Sequence, residues 1–285
     1  MPVRRRQWLL AAALLVGLPF LTLVMFGPIL DTMLYPAPRL RVGEPPPGLT
    51  ELTIDAEPGV RTEPGAHLVA WAGGDRATPG RPAALFLHGN GENLETMRRA
   101  GLFARLDRLD AAYLALDYPG YGRSGGEPGE AALVAGAEAA LDRLRVLHPG
   151  RPLVVVGWSL GAAVAVQLAA RRPAALDGVV LLSPWSRLAD TAAAHFPGLV
   201  VRPLVGDRYD SLAAAPQVTA PALVIHGERD HIIPARQGEQ LAAALGERDG
   251  VETRWVPVAG AGHNDLLGQE VVWAELAHFL DAAGR

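Results

Sequence analysis

The 285 residues are 49% hydrophobic and 20% charged, which is enough apolar side chain to bury a sizeable core and excludes a disordered chain. A net charge of −4, with no basic stripe interleaved with aromatics, argues against nucleic acid as a partner. There is no cysteine, so disulfides, thiolate metal sites and a thiol nucleophile are excluded.

The chain opens on Arg4, Arg5 and Arg6, followed by an uncharged apolar run from Trp8 to Leu30 whose one hydroxyl is Thr22. That length meets the roughly 20 residues a helix needs to cross a hydrocarbon core. Pro19 and Pro28 would kink or end such a helix rather than forbid it. A cleaved signal peptide is the rival, but it would carry a shorter apolar stretch and a small-residue cleavage site. Here the run leads into Asp31-Thr32-Met33 with no A-x-A pattern. Arg5-Arg6-Gln7-Trp8-Leu9 loosely resembles a twin-arginine export signal, within a segment more apolar than such signals. Residues 1–33 are therefore expected to form one uncleaved transmembrane anchor, with the arginines on the cytoplasmic side. The rest of the chain would then lie across the membrane, which in a bacterium is the periplasm.

Residues 34–48 hold Pro36, Pro38 and Pro45-Pro46-Pro47, a density that predicts an extended, stiff tether. From 49 to 285 short β-rich apolar runs appear at 49–54, 67–72, 83–87, 111–116, 153–156, 178–182, 222–225 and 251–258. Helical patterns lie between most of them, at 94–109, 130–147, 160–172, 235–245 and 271–283. This alternation predicts one α/β domain, a mainly parallel sheet of eight strands with helices on both faces. Leu153-Val154-Val155-Val156 is apolar throughout, as a central strand buried on both sides should be. Ligands of such sheets bind beyond the carboxyl ends of the strands, so the post-strand loops are where chemistry is expected.

Gly157-Trp158-Ser159-Leu160-Gly161 occupies one of those junctions, between the strand at 153–156 and the helix at 160–172. A G-x-S-x-G sequence there makes a sharp turn that lifts the serine hydroxyl above the sheet, and the helix N-terminus adds partial positive charge near it. A serine hydroxyl needs a base to take its proton and an acid to orient that base. With such a turn, acid and base follow the serine in that order. Asp230, in His226-Gly227-Glu228-Arg229-Asp230 after the strand at 222–225, is the candidate acid. His263, in Gly260-Ala261-Gly262-His263 after the strand at 251–258, is the candidate base. Among the competitors, His88 and His226 sit at strand ends before glycines and suit structural hydrogen bonding. Asp207 and Asp210 precede the strand at 222–225, and Asp265 lies too close to His263 for an independent loop.

An oxyanion site needs one backbone N–H from the residue after the nucleophile and one from a loop after an early strand. Leu160 is the first, and Asn90 in His88-Gly89-Asn90-Gly91 is the second. Gly120-Tyr121-Gly122-Arg123-Ser124-Gly125 satisfies G-x-G-x-x-G, but Gly126-Glu127-Pro128-Gly129 interrupts the chain before any helix and no acidic residue stands at the end of a following strand, so a dinucleotide cofactor is not expected. It is read as a tight loop, with Arg123 and Ser124 near the rim of the site. No H-E-x-x-H or other metal-ligand spacing occurs, and neither cofactor nor metal is implied.

These motifs, together with Leu34-Tyr35-Pro36 and Asp117-Tyr118-Pro119-Gly120, resemble the α/β-hydrolase superfamily, in particular its membrane-anchored members related to serine aminopeptidases and to the depalmitoylating ABHD enzymes. The resemblance runs from about Leu34 to the C-terminus. It implies a Ser159–Asp230–His263 triad, an oxyanion hole at Asn90 and Leu160, and hydrolysis of an ester, thioester or amide with a small-molecule or acyl substrate. Fewer than 40 residues separate the strands ending at 183 and beginning at 222, room for a small excursion near 185–195 and 199–207 but not for a large lid. A peptidase, or a hydrolase fold that only binds, remains an alternative at this point.

Overall fold

The computed structural model describes residues 34–37, 41–55, 67–74, 77–247 and 250–285. The expected anchor at 1–33 lies outside the described residues. Among the described residues, no helix is long and apolar enough to cross a membrane.

Eight strands form one sheet: β1 (Thr50–Asp55), β2 (His67–Gly73), β3 (Ala83–Leu87), β4 (Ala112–Leu116), β5 (Leu153–Trp158), β6 (Gly178–Leu182), β7 (Ala222–Gly227) and β8 (Thr253–Val258). Each begins and ends within two residues of its apolar run. Their spatial order is β1-β2-β4-β3-β5-β6-β7-β8. β2 pairs antiparallel with both β1 and β4, and every pairing beyond β4 is parallel.

The helices are α1 (Leu94–Arg99), α2 (Leu102–Leu106), α3 (Glu130–Leu147), α4 (Leu160–Arg171), α5 (Leu188–His195), α6 (Gly198–Val205), α7 (Ser211–Ala214), α8 (Ala235–Gly246) and α9 (Glu270–Ala283). The single helix expected over 94–109 is instead α1 and α2. Gly101 between them adopts the left-handed conformation at φ +73, where glycine pays no steric penalty, and the turn re-aims Leu102, Phe103 and Leu106 onto the sheet. α1 starts at a capping box in which Asn93 and Thr96 satisfy each other's backbone N–H.

Side-chain alternation along the strands divides the core in two. Leu85, Leu87 and Val155 face α3, α4 and α8, whereas Ala84, Phe86, Val154 and Val156 face α1, α2 and α9. Both faces are covered, which is why the central runs are apolar at every position. The described part of 34–48 departs from the expected tether. It forms no strand, yet Tyr35 is buried in one core and Val42 in the other, so the segment lies packed on the domain. Parallel pairing aligns the strand ends, with Leu87 opposite Gly157, Leu182 opposite both Trp158 and Ile225, and Gly227 opposite Val258. The loops after β3, β5, β7 and β8 therefore rise from one edge.

Candidate active site

The turn after β5 bends hard. Ser159 has φ +54 and ψ −113, a backbone conformation that side-chain-bearing residues rarely adopt and that must be held by its surroundings. Its N–H donates to the Leu182 carbonyl at 2.9 Å. The flanking glycines have a direct reason: a Cβ on Gly157 would collide with the Gly161 carbonyl, and one on Gly161 with the Leu87 carbonyl of the neighbouring strand. Gly161→Ala is expected to cost about 1–3 kcal/mol by overpacking against backbone that cannot rotate away, read as a fall of several degrees in the thermal midpoint. An unchanged midpoint would mean that the turn tolerates a methyl group there.

The structure brings three predicted residues together from three loops. Ser159 Oγ lies 3.0 Å from His263 Nε2, and His263 Nδ1 lies 2.7 Å from Asp230 Oδ2. All three are buried, and the imidazole stacks on Trp158 with ring centroids 5.6 Å apart. Asp230 Oδ1 accepts the backbone N–H groups of Ile232 at 2.9 Å and Ile233 at 2.7 Å. Burial would push the Asp230 carboxyl up, but hydrogen bonds from His226 and His263, then the Ile233 N–H, outweigh it and hold the group below the usual carboxylate range. It stays an anion facing His263.

From its place before a glycine His226 is expected to hold structure by hydrogen bonding, and its position is more specific. Nε2 lies 2.8 Å from the Ile233 carbonyl and 3.2 Å from Asp230 Oδ2, so Asp230 is flanked by two histidines. The signal for it was present in the His-Gly-x-x-Asp spacing, since a residue ending β7 faces a loop that turns back four residues later. Asp265, set aside as an acid, accepts the Gly262 N–H at 2.7 Å and braces the loop that carries His263. His88 hydrogen-bonds through Nδ1 with the Gly89 carbonyl at 2.9 Å, and burial, opposed by that bond, lowers its imidazole to about 4. Asp210 caps α7 and pairs with Arg187 at 3.0 Å.

Asn90 lies in the loop after β3 and Leu160 is the first residue of α4. The Leu160 N–H is among the α4 donors that have no intrahelical partner. The loop bearing Asn90 is tied down by its side chains. Asn90 Nδ2 donates to the Leu34 carbonyl at 2.7 Å, Tyr121 Oη donates to Asn90 Oδ1 at 3.0 Å, and Glu92 Oε2 accepts the Gly89 N–H at 2.9 Å. Tyr118 Oη adds a bond to the His88 carbonyl at 2.9 Å. The glycine-rich segment 120–125 is a structural loop, as expected, but Ser124 is buried beneath it rather than at the rim. Its Oγ accepts from Val69 N at 2.8 Å and donates to the Asp117 carbonyl at 2.7 Å, while Arg123 pairs with Glu51.

Burial raises the Glu92 carboxyl to about 7, against the lowering effect of the Gly89 N–H. A carboxyl raised in the folded state contributes stability that is full below the ordinary value near 4.5 and lost as pH rises through 7. Glu92→Gln keeps an acceptor for Gly89 and cannot ionise. It is expected to gain on the parent as pH rises from 4.5 to 8, by about 3 kcal/mol at most, measured by denaturant unfolding at both pH values. A constant difference between the two chains would show that Glu92 ionises without penalty.

Among the described residues, no group of three or more His, Asp or Glu side chains could hold a metal ion.

Residues 79–209 match the family model described as serine aminopeptidase, S33. An uncharacterized protein of Mycobacterium tuberculosis is 40% identical over 226 residues, which is 78% of this chain and 77% of its own length. The human alpha/beta hydrolase domain-containing protein 17B is 36% identical over 192 residues, 65% of this chain and 62% of that protein. Among solved structures, an alpha-beta hydrolase from Vibrio vulnificus has a TM-score of 0.68 at 21% identity, covering 87% of this chain and 92% of its own. A thermostable carboxyl esterase from Bacillus coagulans has a TM-score of 0.67 at 15% identity, covering 84% and 99%. At these identities the structural likenesses speak for the fold alone.

Proposed function

The chain belongs to the α/β-hydrolase superfamily and is a hydrolase, and on that premise we propose that it is a membrane-anchored serine hydrolase, its catalytic domain on the extracytoplasmic side, cleaving carboxylic esters or acyl thioesters. The observation that carries this reading is the contact series from Ser159 Oγ to His263 at 3.0 Å and from His263 to Asp230 at 2.7 Å, on a turn whose backbone strain serves the presentation of one hydroxyl.

In this mechanism Ser159 Oγ forms a bond to the substrate carbonyl carbon while its proton passes to His263 Nε2. Asp230 holds the Nδ1–H and stabilises the imidazolium that results. The backbone N–H groups of Asn90 and Leu160 bind the oxyanion. Collapse of the tetrahedral species breaks the bond to the leaving group, which takes the proton from His263. Water then attacks the acyl-enzyme, passes its proton to His263, and the acid product leaves as Ser159 is reprotonated. Esters and thioesters are favoured because their leaving groups need the least help from a binding pocket. The match of residues 79–209 to the aminopeptidase family supports a second reading, cleavage of an N-terminal aminoacyl amide by the same residues.

A fluorophosphonate probe applied to the purified full chain tests the proposal. The expected result is one phosphonyl adduct, located by mass spectrometry on Ser159. A folded protein that takes up no probe would overturn it in favour of a hydrolase fold that binds without cleaving. Rates on aminoacyl amides and on acyl esters then separate the two substrate readings.

A further inference from the structure

Of the large apolar side chains exposed among the described residues, Phe196, Leu199, Val200 and Ile232 gather at one place, with Leu199 96% and Phe196 and Val200 each 58% exposed. α6 reads Gly-Leu-Val-Val-Arg-Pro-Leu-Val, yet within it only Val205 is buried. Water-facing helices normally carry polar residues on their outer side, so this helix presents an apolar face that nothing in the described chain covers. Ile232 joins it because His195 Nε2, at the end of α5, lies 2.8 Å from the Ile232 carbonyl. Ile232 also donates its N–H to Asp230, so the patch borders the loop that holds the candidate acid.

The place where the N-terminal segment leaves the domain lies at the same edge. The Leu34 carbonyl is held by Asn90 at 2.7 Å. Tyr35 is buried, with its hydroxyl 3.2 Å from that of Tyr209, and Tyr209 follows α6 by four residues. In the sequence the apolar run ends at Leu30, four residues before Leu34. Even fully extended, four residues span no more than about 14 Å. With residues up to Leu30 held in a bilayer, a domain pinned at Leu34 could not hold this edge far from the lipid, and α6 is tied to the same edge through Tyr209, whose hydroxyl meets that of Tyr35.

We propose that α6, with Phe196 and Ile232, is a membrane-docking surface that seats the sheet edge carrying Ser159 on the lipid bilayer, with Leu199 and Val200 inserted among the headgroups and upper acyl chains. This rests on the reading of residues 1–33 as an anchor. It gives the site an acyl substrate drawn from the bilayer plane, so that a chain passing from lipid to Ser159 need not cross water. Apolar side chains seated at such an interface contribute in proportion to the area removed from water.

The cysteine-free sequence permits a direct test. Leu199→Cys in the full chain, carrying an environment-sensitive fluorophore, is reconstituted in phosphatidylcholine–phosphatidylglycerol vesicles that contain nitroxide lipid. Val146→Cys is the control. It is 69% exposed and sits at the end of α3 that leads into β5, on the opposite edge of the sheet. The expected result is blue-shifted emission and strong quenching at 199 and neither at 146. Equal quenching at both positions, or a label at 199 that is shielded but unquenched because a second copy of the chain covers it, overturns the inference. A chain that alkaline carbonate strips from the vesicles has no anchor, which removes the premise and is distinguishable from an anchored chain with no quenching at 199. Leu199→Ser with Val200→Ser should also slow hydrolysis of a vesicle-embedded long-chain ester by about tenfold or more, with fluorophosphonate labelling of Ser159 unchanged. An equal loss in both assays would assign α6 to the fold of the site instead.

Discussion

Ser159→Ala is expected to lower kcat for a soluble ester such as p-nitrophenyl butyrate by about a millionfold, the scale seen when a hydroxyl nucleophile is deleted from an intact serine–histidine pair. The size follows from what the hydroxyl does here. In the proposed mechanism it is the attacking atom, 3.0 Å from His263 Nε2. With it gone, the donors at Asn90 and Leu160 would leave a residual rate about a thousandfold or more above water, from oxyanion binding alone. The fold should survive. Alanine adopts the same φ as readily as serine, the Ser159 N–H bond to Leu182 belongs to the backbone, and a single hydrogen bond is lost. A thermal midpoint within a few degrees of the parent, alongside lost turnover, is the expected pair of observations. Turnover within tenfold of the parent would move the chemistry away from Ser159.

Asp230→Asn is expected to reduce kcat by about ten-thousandfold with little change in substrate binding. The geometry fixes which way the new amide faces. The Ile232 and Ile233 N–H groups both donate to Oδ1, so the asparagine oxygen must take that place and its NH2 must point at His263 Nδ1. His263 then accepts at Nδ1 and carries its proton on Nε2, the tautomer that cannot receive the Ser159 proton. His226 sharpens the effect, because its Nε2, 3.2 Å from Oδ2 in the parent, would face a donor where an anion had been. Stability should fall as well, since a buried ionic hydrogen bond is exchanged for mismatched donors. Fluorophosphonate labelling separates this from Ser159→Ala, which has no hydroxyl to modify, whereas Asp230→Asn should still take up the probe slowly at Ser159. Wild-type turnover in Asp230→Asn would transfer the orienting role to another carboxylate.

Much of this architecture was legible from one sequence, and for a physical reason. A strand buried on both faces must be apolar at successive positions, so β3, β5, β6 and β7 announce themselves in the primary structure. The sharp turn at Ser159 needs glycines at 157 and 161, because any side chain there meets backbone, so the turn and its candidate nucleophile could be named before any coordinate. The helix break at Gly101 was less visible. A lone glycine in a helical pattern can be tolerated, and only the need to place Leu102, Phe103 and Leu106 against the sheet made it a turn.

What the tertiary structure alone decided are relations across distance in the chain. Ser159 and His263 are 104 residues apart and Asp230 and His263 are 33 apart, so their contact depends on parallel pairing that aligns the ends of β5, β7 and β8. His226 as a second partner of Asp230, the Glu92 clasp on Gly89, and Asn90 held between Leu34 and Tyr121 depend on side chains that approach only after the loops have folded. The burial of Tyr35, in a segment whose prolines suggest an extended, stiff tether, depends on a receiving surface at Tyr209 that local composition does not encode. Local sequence determined the strands, the sharp turn at Ser159 and the order of the three candidate residues, because backbone sterics and periodic burial act on neighbours. Packing decided the distances, the clasped loop and the exposed face of α6, because those are set by what the rest of the chain brings to each residue and what it leaves uncovered.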